Sequence, residues 1–188
     1  QFAQRYILDL CAEFQACYLL ISVSVDCSYT TYDLSHNDFD LAFRATKTPP
    51  QNMIAKKLFD YRHTCCASPE YLAKHGTPKR IEDLIEHICL SQSLKSEWQF
   101  ADKKTNVNCP IAVNDNLILK KHAIADNGII LVPEYVVDKE IDSGVLVPIL
   151  ENALHAEFAI YLIHPQLIHQ SARLKAFIAF TKCFFEDK

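Results

Sequence analysis

The stretch Cys65-Cys66-Ala67-Ser68-Pro69-Glu70-Tyr71-Leu72-Ala73-Lys74-His75-Gly76-Thr77-Pro78 constrains this chain more than any other. Ser68 can cap a helix, Pro69 fits its first turn, and Gly76 can end it in a left-handed conformation. The apolar Cys65-Cys66-Ala67 in front of Ser68 reads as the end of a strand. A strand that runs straight into a short capped helix is a βα unit, and the rest of the chain repeats that alternation.

Phe2, Tyr6, Ile7, Leu10 and Phe14 recur at helical spacing and make one apolar stripe. From Leu19 to Val25, Ile21, Val23 and Val25 alternate with Ser22 and Ser24, the pattern of a strand. Further strands are expected at Asp40 to Phe43, Tyr61 to Ala67 and Ile88 to Ser91, with helices at Pro69 to Lys74 and around Arg80 to Glu86. A hairpin of Trp98 to Ala101 with Val107 to Val113 turns at Asp102-Lys103-Lys104. Asn116 is placed to cap a helix through Ile124, ended by Gly128, and Asn127-Gly128-Ile129 fits a tight helix-to-strand turn. Ile129 to Val132 is a strand, Pro133 opens a short helix, and Gly144 stops it. Phe158 to Ile163 is the last strand, and Leu167, Ser171, Leu174, Phe177, Ile178, Thr181 and Phe185 mark a closing helix. Alternation of this kind predicts an α/β protein with mostly parallel sheets.

The order of particular segments resembles a known family. Upstream of the capped helix stands Asp38-Phe39-Asp40-Leu41-Ala42-Phe43-Arg44. Downstream come Ile81-Glu82-Asp83-Leu84, His87-Ile88-Cys89-Leu90, Glu97-Trp98-Gln99-Phe100 and Asn114-Asp115-Asn116. Gly128-Ile129-Ile130-Leu131-Val132-Pro133-Glu134-Tyr135 and Ser143-Gly144-Val145-Leu146-Val147 close the series. Over nearly its whole length the chain is similar to the effector-binding (substrate-binding) domain of LysR-type transcriptional regulators. Two departures stand out: the family usually has a glycine or small residue near Asp126, and often a proline where this chain has Cys17-Tyr18.

The resemblance implies an α/β fold of two Rossmann-like lobes joined by two crossing strands, as in type-2 periplasmic binding proteins. The crossings would lie near Cys65 to Ser68 and Glu157 to Ile160. The first lobe would be residues 1–66 with 159–188, the second 67–158. It also implies a winged helix-turn-helix upstream of residue 1, and an apolar strand of about five to six residues immediately before Gln1. The domains of the family pair antiparallel, which here would use the Phe2 to Phe14 helix and the Leu117 to Ile124 helix in a homodimer or homotetramer.

Ligands of open α/β sheets sit beyond the carboxyl ends of strands, beside helix N-termini whose free amides favour anions. In the implied fold that is the cleft between the lobes, and it selects the effector-binding candidates. Ser28 and Tyr29 follow the strand Leu19 to Val25, with a polar turn as their plainer role. Arg44 and Thr46 follow the next strand, where Arg44 could hold a carboxylate or an inter-element ion pair. Ser68 opens the capped helix. Trp98 and Phe100 alternate on one strand face, a pattern that core packing explains better. Asn114 and Asn116 stand before a helix, and capping alone would account for Asn116.

No catalytic or cofactor signature is present in the sequence. It contains no G-x-S-x-G elbow and no glycine-rich phosphate loop. His155-Ala156-Glu157 mimics half of a zinc deaminase motif without the P-C-x-x-C half, and the eight histidines are scattered without metal-ligand spacing. Eight cysteines, none in C-x-x-C, read as buried free thiols of a reducing cytoplasm, Cys65 and Cys66 facing opposite sides of one strand. No run approaches the roughly 18 apolar residues of a membrane helix. The reading is therefore a cytoplasmic, non-enzymatic domain that binds a small, anionic effector. The alternatives are a stand-alone solute-binding protein of the same fold, or an enzyme built on it.

The charge balance makes a prediction. Nineteen Lys plus Arg against twenty-three Asp plus Glu give a net charge of −4, and basic residues cluster no further than pairs such as Lys103-Lys104 and Lys120-Lys121. DNA affinity rests on phosphate neutralisation by a positive face. A gel shift with this chain alone should show no binding at physiological salt; any DNA contact belongs to the upstream domain.

Overall fold

The computed structural model describes residues 2–27, 34, 39–101, 103–154, 157–166 and 171–186. The chain divides into two units, Tyr61–Glu157, and Phe2–Asp60 with Phe158–Lys188. It passes from one to the other within a long strand, β2 (Met53–Ala67), and returns at the start of another, β8 (Glu157–Pro165).

The unit Tyr61–Glu157 is organised by β6 (Ile129–Pro133), buried along almost its whole length. On one side it pairs antiparallel with β2, Cys66 opposite Ile130 and His63 opposite Pro133. On the other it pairs parallel with β3 (Cys89–Leu90), Cys89 opposite Ile129. The last residues of β2 also pair antiparallel with β7 (Val147–Ile149). Period-two alternation sends successive side chains to opposite faces. Cys65, Ala67, Cys89 and Ile129 meet Tyr71, Leu72, Leu84, Trp98 and Phe100 on one face. Cys66, Leu90, Ile130 and Val132 meet Leu119, Ala123, Val136 and Val137 on the other. The adjacent cysteines thus split between two cores, as their strand position requires.

Helix α2 (Pro69–His75) has the predicted cap: the Tyr71 N–H donates to Ser68 Oγ at 3.1 Å. Gly76 ends it at φ +85°. The segment Ile81–Glu86 is a 3₁₀ turn rather than an α-helix. Its start is fixed by Asp83, whose carboxylate accepts the Lys79 and Arg80 N–H groups at 3.0 Å each. Those bonds hold the Asp83 carboxyl below the usual carboxylate range. The hairpin is β4 (Glu97–Gln99) with β5 (Lys104–Asn106), so its return strand ends before Val107. Beyond it follow α3 (Asn116–Ile124) and α4 (Asp138–Asp142), the latter stopped at Gly144 with φ +75°.

In the other unit, α1 (Leu8–Cys17), preceded by a π-helical turn Ala3–Ile7, packs antiparallel on α5 (Ala172–Glu186). Phe2 meets Phe185 at one end, and Phe14 meets Phe177 and Phe180 at the other. Ile7, Leu10 and Phe14 of the first expected stripe are buried against Phe177 and Phe185 of the second, joined by Phe184; Ser171 is exposed, and Leu167 lies outside the described residues. A strand β1 (Ala42–Thr46) pairs antiparallel with β8, Arg44 opposite Tyr161.

Three expectations require correction. The sheets are mixed rather than mostly parallel: β3 and β6 run parallel, whereas β1–β8, β2–β6, β2–β7 and β4–β5 pair antiparallel. Second, Leu19 to Val25 is not a strand. Ile21 and Val23 do pack against the α1–α5 cluster, but Leu20 is fully exposed. Alternation supplied an inward face; a ladder also requires a partner. Third, the strand expected at Asp40 to Phe43 begins two residues later, and the one expected from Tyr61 begins at Met53.

Gly128 enters β6 at φ +151°, and a Cβ there would lie 2.6 Å from the Ile88 carbonyl oxygen. That same oxygen accepts the Ile129 N–H at 2.9 Å, the bond that starts the β3–β6 ladder. Gly128→Ala should therefore cost more than about 1 kcal/mol, read as a lower denaturant midpoint.

Candidate functional site

The carboxyl end of β3 brings together two of the polar residues that sequence reasoning singled out, Asn114 and Asn116, with others it did not. Past Leu90, the Ser91 hydroxyl accepts the Trp98 indole N–H at 3.1 Å and hydrogen-bonds the Ser96 hydroxyl. The Ser91 carbonyl accepts the Val113 N–H at 2.9 Å, beside a parallel bridge between Ser91 and Ala112. That pairing delivers Asn114, Asp115 and Asn116 to the same end of the sheet. There the Gln92 amide nitrogen donates to Asn116 Oδ1 at 2.8 Å. The Asn116 side chain is buried and Asn114 is exposed.

The N-cap of α3 is Asp115, not Asn116. Its carboxylate accepts the Leu117 N–H at 2.8 Å and the Ile118 N–H at 3.3 Å from an extended backbone. Two of the amides that could have met an anion are thus already engaged, by a group that is itself negative. What α3 offers a ligand is the exposed Asn114 and a polar rim. Lower on the helix, Lys120 pairs with Glu140 of α4 at 2.8 Å, tying α3 to the next element.

Strand direction separates Ser68 from this group. Because β2 is antiparallel to β6 while β3 is parallel to it, β2 leaves the sheet at the end where β6 enters, and β3 leaves at the opposite end. Ser68 also has its hydroxyl engaged by the Tyr71 N–H and is buried. Phe100 is fully buried in the core, and Trp98 is buried beside it with its indole N–H engaged by Ser91. Both supply packing under the site rather than ligand-facing surface.

Arg44 and Thr46 lie on β1 of the other unit, both half-buried. The Thr46 hydroxyl donates to the Thr48 carbonyl at 2.9 Å and accepts the Thr48 N–H at 3.2 Å, a turn that ends the strand. Ser28 and Tyr29 lie outside the described residues. Gln92 escaped the sequence reading, although its place two residues past a strand's carboxyl end could have flagged it. A surface groove of about 660 Å³ lies elsewhere, lined by Thr77–Glu82 and Pro148–Ala153, and none of the candidate residues borders it.

The thiols divide by environment. Cys65, Cys66, Cys89 and Cys109 are buried, Cys11 is half-buried, and Cys17, Cys27 and Cys183 are exposed, against the expectation that all would be interior. Burial, with Glu140 nearby, pushes the Cys66 thiol up to about 12, and burial with Cys109 nearby does the same for Cys89. Burial likewise raises Cys65 well above an ordinary thiol. A thiol so protonated is a poor nucleophile or ligand.

A mixed sheet packed on both faces, two crossing strands and a polar rim beyond a strand's carboxyl end define a periplasmic-binding-protein-like regulatory domain. The chain belongs to the LysR substrate binding domain family, which matches residues 1–185. It is 30% identical over 184 residues to the HTH-type transcriptional regulator CrgA of Neisseria meningitidis serogroup B, covering 93% of this chain and 60% of that protein. It is 25% identical over 194 residues to the HTH-type transcriptional regulator DmlR of Escherichia coli K12, covering 99% and 63%. The chain thus spans somewhat over half the length of these relatives. Its fold matches the CrgA regulatory domain from Neisseria meningitidis with a TM-score of 0.81 at 27% identity, covering 96% of this chain and 92% of that one. The regulatory domain of AphB from Vibrio vulnificus matches with a TM-score of 0.84 at 21% identity, covering 97% and 95%, a likeness of fold. The family is regulatory rather than enzymatic.

Two outcomes follow from this geometry. Asp115→Ala should destabilise the chain by about 1 kcal/mol through loss of the α3 cap, measured by urea unfolding. A native thiol titration should give a fast phase from Cys17, Cys27 and Cys183, with Cys65, Cys66 and Cys89 reacting only on unfolding.

Proposed function

We propose that this chain is the effector-sensing and oligomerisation domain of a LysR-type bacterial transcriptional regulator. The observation that carries the reading is the family match across residues 1–185. A small molecule binds the domain and biases it between conformations, and that bias alters DNA binding by a helix-turn-helix domain upstream. Among the effector-binding candidates, Asn114 and Asn116, with Gln92, share the carboxyl end of β3, and Arg44 and Thr46 stand on β1. Arg44 is the candidate that would meet the charge of an anionic effector. The protein acts in the cytoplasm; among the described residues no helix is long and apolar enough to cross a membrane.

Charge supports the assignment of DNA reading to another domain. Within Lys103-Lys104 and Lys120-Lys121, Lys103 pairs with Glu82, Lys104 with Glu97 at 2.9 Å and Lys120 with Glu140. For self-association, the two helices expected at the interface carry exposed apolar residues: Leu8 (58%) in α1, and Ile118 (44%) and Ile124 (37%) in α3.

Thermal-shift screening of the chain against small organic acids, followed by calorimetry, tests the sensing role. The expected result is a saturable ligand whose affinity falls about tenfold or more in Arg44→Ala and in Asn114→Ala, the loss expected for a hydrogen bond to a charged group. In the full-length gene, a winged helix-turn-helix before Gln1 supports the reading, whereas an export signal there would favour a solute-binding protein. Leu8→Glu should shift the chain toward monomer in light scattering.

A further inference from the structure

Two imidazoles flank one buried phenol in the unit Tyr61–Glu157, and neither belongs to the effector site proposed above. Tyr71 of α2 is almost wholly buried. Its ring stacks on His75, with centroids 4.6 Å apart and planes at 26°, and lies 5.9 Å from the ring of His87. His87 is buried at the junction between the 3₁₀ turn Ile81–Glu86 and β3. The Tyr71 hydroxyl accepts the Ile88 N–H at 3.0 Å and lies 3.4 Å from His87 Nδ1.

The tautomer of His87 sets the sense of these bonds. The hydroxyl has one proton, and burial raises the Tyr71 phenol, so the proton stays on. Its oxygen accepts from Ile88, and in the Nε2–H tautomer of neutral His87 that proton points at His87 Nδ1. Neutral His87 then accepts at Nδ1 and carries its own hydrogen on Nε2. Ile88 in turn gives its carbonyl to the Ile129 N–H at 2.9 Å, the bond that opens β6. One unbroken chain of contacts therefore runs from His87 through Tyr71 and Ile88 to the central strand.

We propose that the His75–Tyr71–His87 stack is a proton-responsive latch, in which a proton taken from solvent by His87 Nδ1 loosens the hold of α2 on β3 and β6. The new N–H bond makes Nδ1 a donor, facing a hydroxyl hydrogen that must turn away. It also places positive charge in a buried site next to His75. Of the charged groups that face it, His75 opposes the proton, while Asp83 and Glu86 of the 3₁₀ turn favour it; Cys89 of β3 acts on the phenol. Burial and His75 prevail, and the His87 pKa lies below its ordinary 6.5. The unfolded chain then binds the proton more readily than the folded one. Stability is complete above about pH 6.5 and declines as pH falls below it, levelling beneath the folded value.

Histidine-labelled samples of the 188-residue chain, titrated by NMR with His87→Gln to assign the resonance, test the latch directly. The expected midpoint for His87 is below 6.5; a midpoint at or above it overturns the proposal. Between about pH 7.5 and 5.5 the melting temperature of the native sequence should fall further than that of His87→Gln, by on the order of 2–4 °C. Parallel profiles would overturn it too. Should His87→Gln not fold, hydrogen exchange at Ile88 and Ile129 in the native sequence decides. Protection, corrected for intrinsic rates, should drop on acidification, and pH-independent protection refutes the latch.

Discussion

The pairing of β2 with β6 is the constraint on which the rest of the larger unit depends. β6 and the last residues of β2, Cys65 to Ala67, are buried, so each face of the sheet there must be covered by something else. On one face α2, the 3₁₀ turn and the hairpin supply Tyr71, Leu84 and Trp98. On the other, α3 and the segment after β6 supply Leu119, Ala123 and Val136. Each fully buried large side chain contributes roughly 1.5–3 kcal/mol, and the alternation of Cys65 and Cys66 shows how finely the register is held. A slip by one residue would exchange the two faces.

That register also determines where polar chemistry can gather. Every polar group at the carboxyl end of β3 is there because its parent strand leaves the sheet at that end. Trp98 braces Ser91 from the core side, Ser91 fixes the approach of Val113, and Asp115 then starts α3. The rim formed by Gln92, Asn114 and Asn116 stands on a buried scaffold rather than on a loose loop, the condition for pre-organised recognition. The opposite end of the same sheet holds Ser68, Gly128 and the Tyr71–His87 contact, which serve helix capping and strand entry.

Helices were legible because their signals are local. The stripe Phe2 to Phe14, the Ser68 cap with Pro69 behind it, and the inward set Leu174, Phe177, Ile178 and Thr181 each specify a helix within a few residues. Strands were less so. The segment from Ile21 to Val25 alternates as well as any in the chain and forms no strand, whereas Met53 to Asp60, with Lys56, Lys57 and Asp60 in it, does. Alternation reports which residues face inward; pairing is a property of two segments, and no single segment contains it. The capping of α3 by Asp115 instead of Asn116 is the same lesson on a smaller scale. Either side chain could cap, and the backbone at Asp115 turned out to be the extended one.

The sequence by itself determined the family, the division into alternating elements, the apolar faces of the helices and the opposed facing of Cys65 and Cys66. Those follow from residue order, side-chain periodicity and turn chemistry, all of which act along the chain. Tertiary structure alone decided the direction of each strand relative to its neighbours, and with it which candidate residues could meet. Ser68 and Asn116 were both plausible at a strand-to-helix junction, and only the antiparallel course of β2 beside the parallel course of β3 sent them to opposite ends of one sheet. The exposure of Cys17, Cys27 and Cys183 was likewise settled by packing, because a cysteine is apolar enough for a core and small enough for a surface.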